Sequence, residues 1–162
     1  MLFRSVNESS WHARENEFRF QLVHEIRKRR GLKSVAGFIS QGAIPRRFEQ
    51  YQLRSQPYRL REYLHEVSRA RVGLYVRGLH DCLSFKLGQL FCMGMPISGQ
   101  RLVNNSTWLN SLERVPEQFA YESPKELVDK AEVLLASRQE LASIAESNIA
   151  TFEKFLTPES VV

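Results

Sequence analysis

Residues 72–76 read Val-Gly-Leu-Tyr-Val, an apolar run whose one polar atom is the hydroxyl at the tip of Tyr75. A strand with one face in water alternates apolar and polar residues, so an unbroken apolar run predicts a strand covered on both faces. Such strands belong to parallel sheets, and parallel neighbours must be joined by crossovers long enough to hold a helix. The rest of the chain has that rhythm. Residues 1–6 (MLFRSV), 33–40 (KSVAGFIS), 96–99 (PISG) and 118–121 (QFAY) are further short strand candidates, and helical patterns separate most of them.

The first helical pattern follows the turn residues NESS at 7–10, which also suit a cap, and repeats Phe18, Leu22 and Ile26, with Val23 widening the stripe. Its last turn is the basic block Arg27 to Arg30, and Gly31 stands where a C-terminal cap belongs. Residues 41–57 have weak periodicity and two prolines, and read as a loop with a broken helical turn. From Tyr58 to about Arg71, Leu60, Leu64, Val67 and Ala70 share a face. A short helix is expected inside DCLSFKLGQLFCMGMP (81–96), and another near Thr107 to Leu112. Ser123-Pro124-Lys125-Glu126 combines a capping box with proline at the first helical position. Leu127, Ala131, Leu134 and Leu135 then line one face, and a last helix from about Arg138 to Phe155 places Leu141, Ala145, Ile149 and Phe152 inward before Pro158 stops it.

Strands alternating with helices predict an α/β fold: a Rossmann-like parallel sheet with helices on both faces. The 162 residues suit one domain. Right-handed crossovers place every strand C-terminus on one edge, where such sheets bind ligands. No run is long enough for a membrane span, the N-terminus lacks the pattern of a signal peptide, and the two cysteines, Cys82 and Cys92, read as reduced thiols, so a cytoplasmic protein is expected. The net charge of +5 fits either nucleic acid or an anionic small ligand such as a nucleotide diphosphate.

The turn after Val-Gly-Leu-Tyr-Val, RGLHDCLS, falls on the ligand edge. Ser84 is placed to cap the next helix, whose free N–H groups and dipole favour an anion. Arg77 and Lys86 flank that helix start, and Gln89 lies within hydrogen-bonding reach of a sugar hydroxyl. Gly78 and His80 complete the turn; His80 reads either as an acid, base or phosphate donor or as a solvated turn residue. Asp81 reads either as a ligand contact or as a turn residue bonding its own backbone. Trp108 reads as a base-stacking platform or a buried anchor, and His12, His24 and His65 lack metal-ligand spacing. No metal site, P-loop or Ser-His-Asp arrangement is apparent.

The run Asp81 to Pro96 resembles the donor-binding segment of glycosyltransferases with the GT-B fold, in which two acidic residues eight positions apart precede an apolar helix that ends in Gly-x-Pro. Asp81 matches the first acidic position, Gln89 stands at the second, and Gly94 and Pro96 match the end. The two closing helices are also similar to that family's. The resemblance implies the C-terminal, nucleotide-sugar-binding half of such an enzyme. Asp81 would then be the catalytic contact to the transferred sugar or the diphosphate, and Gln89 the contact to ribose. Arg14, Arg77, Gly78, His80, Ser84 and Lys86 would surround the donor, with Arg14 at the first strand-to-helix connection, where the family places diphosphate-binding cations.

The expected activity is transfer of a sugar from a nucleotide-diphosphate sugar, a substrate rather than a cofactor, to a carbohydrate or other acceptor. A separate N-terminal half or partner chain would supply the acceptor side. The alternatives are a non-catalytic nucleotide-sugar-binding or interaction module of the same fold and, further off, a nucleic-acid binder using the basic segment 27–71. Nucleic acid is not the expected partner.

Overall fold

The computed structural model describes residues 2–3, 10–39, 45–78, 81–103, 112 and 114–157. In chain order these form β1 (Leu2–Phe3), α1 (Ser10–Lys28), β2 (Gly37–Ile39), α2 (Arg46–Glu49), β3 (Gln52–Arg54), α3 (Leu60–Ser68), β4 (Gly73–Tyr75), α4 (Lys86–Cys92), β5 (Ile97–Gly99), a 3-10 turn (Pro116–Gln118), α5 (Pro124–Ala136) and α6 (Arg138–Phe155).

Among the described residues every strand pairing is parallel. One sheet has the order β1-β2-β3, with Leu2 opposite Gly37 and Phe38 opposite Gln52; the other pairs β4 with β5, Gly73 opposite Ile97. A single parallel bridge from Gln100 to Tyr121 extends the second sheet by one position. The fold is thus mixed α/β with parallel strands, and the one sheet expected from the sequence is found as two. β3 is an additional strand: it falls where the prolines and weak periodicity predict a loop, and residues 46–49 supply the broken helical turn. The expected strand at 118–121 is reduced to the bridge at Tyr121, because Gln118 is drawn into the 3-10 turn.

β4 has its two faces covered, as its apolar run requires. Leu74 and Val76 face Leu22, Val23 and Ile26 of α1, Phe38 of β2, and Leu127 and Val128 of α5. Tyr75, between them in the pleat, faces Leu87, Leu90 and Phe91 of α4 with Met95, Ile97 and Phe119. Phe152 and Leu156 of the α6 end pack on that second cluster. Val76, just after β4, and Phe38 of β2 lie in one cluster with Leu22, Val23 and Ile26 of α1.

The Gly-Met-Pro exit of α4 has a specific geometry. Gly94 adopts φ 58°, its N–H donates to Phe91 O, and the Met95 N–H reaches back to Leu90 O, both at 2.9 Å. This is the Schellman pattern, with Leu90 and Met95 supplying its apolar contact and Pro96 forbidding another turn. Gly31 does not play that part for α1: it has no left-handed φ, and α1 instead ends in a turn closed by the Leu32 N–H on Arg29 O.

α5 begins as its sequence predicts. Ser123 Oγ accepts from the Glu126 N–H, and Glu126 Oε2 accepts from the Ser123 N–H at 3.1 Å. In α6 the buried face is Leu141, Ile144, Asn148 and Thr151, whereas Ala145 is half-buried and Ile149 exposed. The face is rotated from the expected one because Asn148 is fully buried and hydrogen-bonded, donating to Met95 O at 2.7 Å and accepting from Gln118 Nε2 at 2.8 Å. α3 has no buried residue, and Leu60 and Ala70 on its expected inner face are exposed. No helix among the described residues is long and apolar enough to cross a membrane. The expected helix near Thr107 to Leu112, with Trp108, lies outside the described residues apart from Leu112.

Candidate functional site

A cavity of about 290 Å³ opens at the C-terminal ends of β4 and β5. Arg77 and Asp81 enter it from the connection after β4, Gln100 from the end of β5, Glu122 from beside the Tyr121 bridge, and Arg14, Glu15 and Phe18 from the first turns of α1. Connections far apart in sequence therefore meet on one edge, which follows from the parallel strands all ending there.

Arg77 has its backbone fixed on both sides. Its backbone N–H donates to Gln100 Oε1 at 3.3 Å, and its carbonyl accepts from Arg19 Nη2 at 3.2 Å. Gln100 is itself 7% exposed and ties its own N–H to Tyr75 O at 2.9 Å. The Arg77 side chain, 15% exposed, places Nε 3.2 Å from Asp81 Oδ1. That contact is an ion pair without hydrogen-bond alignment, so the Nε–H has no acceptor among the described residues. Asp81 holds φ 59°, a left-handed conformation that Asp tolerates better than most residues, and its Oδ2 lies 4.0 Å from Arg14 Nη2.

Glu15 is the acidic counterpart. Its side chain is 10% exposed; Oε1 lies 3.5 Å from Arg14 Nη2, and Oε2 is buried without a partner among the described residues. Burial pushes the Arg19 guanidinium pKa down, and the charge of Glu15 opposes that shift. Glu122 faces the cavity but is held from outside by Arg101 Nε at 2.8 Å.

Of the site residues expected from sequence, Arg14, Arg77 and Asp81 are brought together on this cavity. Gly78 lies beside it, but its N–H donates to Cys82 O at 2.9 Å, and a Cβ there would come within 2.7 Å of Cys82 Sγ, so Gly78 serves the turn itself. Ser84 donates its N–H to the Tyr75 hydroxyl at 2.9 Å and accepts from the Lys86 N–H at 3.4 Å, capping from one residue before the residue that precedes α4. Burial raises the Tyr75 hydroxyl pKa, and the Ser84 N–H partly offsets this. The Lys86 ammonium stands 5.7 Å from the Tyr63 ring centroid, a cation–π contact with α3 rather than the cavity. Gln89 also lies off the cavity, and its Oε1 is buried without a partner among the described residues. His80 lies outside the described residues.

Sequence reasoning missed Glu15 and Gln100. Glu15 neighbours Arg14, but nothing local marks it as buried; Gln100 is visible only once β4 and β5 are paired. His24, read as lacking metal spacing, is bonded to the Tyr51 hydroxyl at 2.5 Å. Among the described residues no three His, Cys, Asp or Glu side chains cluster as a metal site. Compared with known proteins, the chain matches no family model, no curated protein and no solved structure.

Proposed function

We propose that the chain is the donor-binding half of a GT-B-type glycosyltransferase, holding the diphosphate of a nucleotide-diphosphate sugar at the cavity between Arg14 and Arg77. One observation carries this reading: two guanidinium groups, Arg14 from the first turns of α1 and Arg77 from the connection after β4, line one cavity at the strand C-terminal edge, and the Arg77 Nε–H has no acceptor among the described residues. The position of the cavity supports it further. A doubly wound sheet binds its ligand at the strand C-terminal edge; the strands here form two separate parallel sheets, β1-β2-β3 and β4-β5, and the cavity lies at the C-terminal ends of β4 and β5. In this reading a second chain or domain supplies the acceptor side, the location is cytoplasmic, and Asp81 faces the transferred group.

A second reading has its own support. Gln89 is neutral and off the cavity, and Asp81 is already ion-paired, which favours a module that binds the nucleotide sugar without transferring it. The nucleic-acid reading is less well supported, because several cations of the basic segment are engaged within the chain: Arg27 donates to Ala36 O, Arg29 pairs with Asp129, Arg47 with Glu17 and Arg69 with Glu66.

Calorimetric titration of the chain with uridine and guanosine diphosphates tests the proposal. Saturable binding is expected for at least one, with a loss of about 10-fold or more in Arg77→Ala, the size of a charge-assisted hydrogen bond. Absence of binding to either at millimolar concentration overturns it.

A further inference from the structure

Two side chains that line the cavity each carry a buried polar atom without a partner among the described residues, and the two are of opposite kind: the Arg77 Nε–H is a donor, and Glu15 Oε2 is an acceptor. The Glu15 side chain is nine-tenths buried. Its charge is already met, because Arg14 Nη2 lies 3.5 Å from the other oxygen and the charge of Glu15 acts on the buried Arg19 guanidinium. What Oε2 lacks is a hydrogen-bond donor, and a neutral one completes it without adding a third cation. A hydroxyl is such a donor. Leaving a buried acceptor unmatched is more costly than any typical hydrogen bond is favourable, so a ligand that brings the hydroxyl gains from both sides.

We infer that Glu15 accepts a hydrogen bond from a hydroxyl of the same ligand whose phosphate Arg77 binds, so that the site selects phosphorylated polyols over bare phosphates. The inference rests on the anion-binding role of Arg77 proposed above and adds the residue that reads the sugar part. The hydroxyl belongs either to the ribose or to the transferred sugar; the chemistry at Oε2 is the same, and the choice of probes separates the two.

The test is titration of the unaltered chain, Glu15→Gln and Glu15→Ala with inorganic pyrophosphate, uridine diphosphate and uridine diphosphate glucose. In Glu15→Ala, pyrophosphate binding is expected to stay the same or tighten, since a nearby negative charge is gone. Binding of the hydroxyl-bearing probe is expected to weaken about 10-fold. Loss with both nucleotide probes assigns the ribose; loss with the glucose conjugate alone assigns the sugar. Glu15→Gln keeps a neutral acceptor and should fall between. Equal weakening of pyrophosphate and nucleotides would reduce Glu15 to a support for Arg14 and overturn the inference, as would no change with any probe; in either case the anion reading survives. If no probe binds the unaltered chain, the anion reading fails and the inference falls with it. A thermal midpoint for Glu15→Gln within a few degrees of the unaltered chain separates binding effects from unfolding.

Discussion

Asp81 and Arg77 are joined by an ion pair within a single turn, and the carboxylate lies where an anionic ligand would approach both Arg77 and Arg14. Asp81 would therefore compete with a bound phosphate for the same guanidinium groups. Asn occupies the left-handed region as readily as Asp, so Asp81→Asn removes the charge and keeps the turn. Pyrophosphate is expected to bind Asp81→Asn about 2- to 5-fold more tightly, the range of a partly exposed ion pair. Weaker binding would show that Asp81 orders the arginines more than it blocks them. These residues were legible in the sequence because they flank the one apolar run that must be a buried strand. Glu15 was not, because the cavity it lines is completed by Arg77 and Asp81 of the connection after β4, some sixty residues further along the chain.

At the scale of elements, end chemistry was readable and faces were less so. Ser-Pro-Lys-Glu starts α5 and Gly-Met-Pro ends α4 as local rules require, since both depend on residues adjacent in sequence. The inward face of α6 was misread because its centre is Asn148, a polar residue whose partners, Met95 and Gln118, come from other elements. β3 was missed because its strand has one exposed and two half-buried residues and is held by pairing with β2 rather than by an apolar run. Gly94 combines both kinds of constraint. Its φ is left-handed, and a Cβ there would stand 2.9 Å from Ile149 Cδ1 and 3.2 Å from Ala145 O. Gly94→Ala is expected to destabilise the chain by about 2 kcal/mol or more, the backbone strain and the α6 contact adding. Urea unfolding measures it. A loss below about 0.5 kcal/mol would mean that α6 shifts freely, against its hydrogen bond to Met95 O.

The whole molecule is held along β4, whose neighbouring residues feed opposite clusters, and Tyr75 is the polar-tipped member of that pair of cores. Parallel pairing and helices on both faces of this strand could be read from its composition; the split into two sheets could not, because pairing between strands is decided by chain segments remote from each other. Burial raises the hydroxyl pKa of Tyr75, and likewise those of Tyr63 and Tyr121. Above the unfolded tyrosine value, near pH 10, the unfolded chain releases protons that the folded chain keeps, so the unfolded state binds fewer protons and stability falls as pH rises. Below that value the contribution of these tyrosines is fully present. Tyr75→Phe removes one titrating group and also removes the acceptor of the Ser84 N–H, so it should begin less stable at neutral pH. Its stability should then fall less steeply with pH, and the two curves should converge above about pH 10. Denaturant unfolding at steps between neutral pH and pH 11 follows both, and parallel curves would mean that the Tyr75 hydroxyl ionises in the folded core as readily as in water.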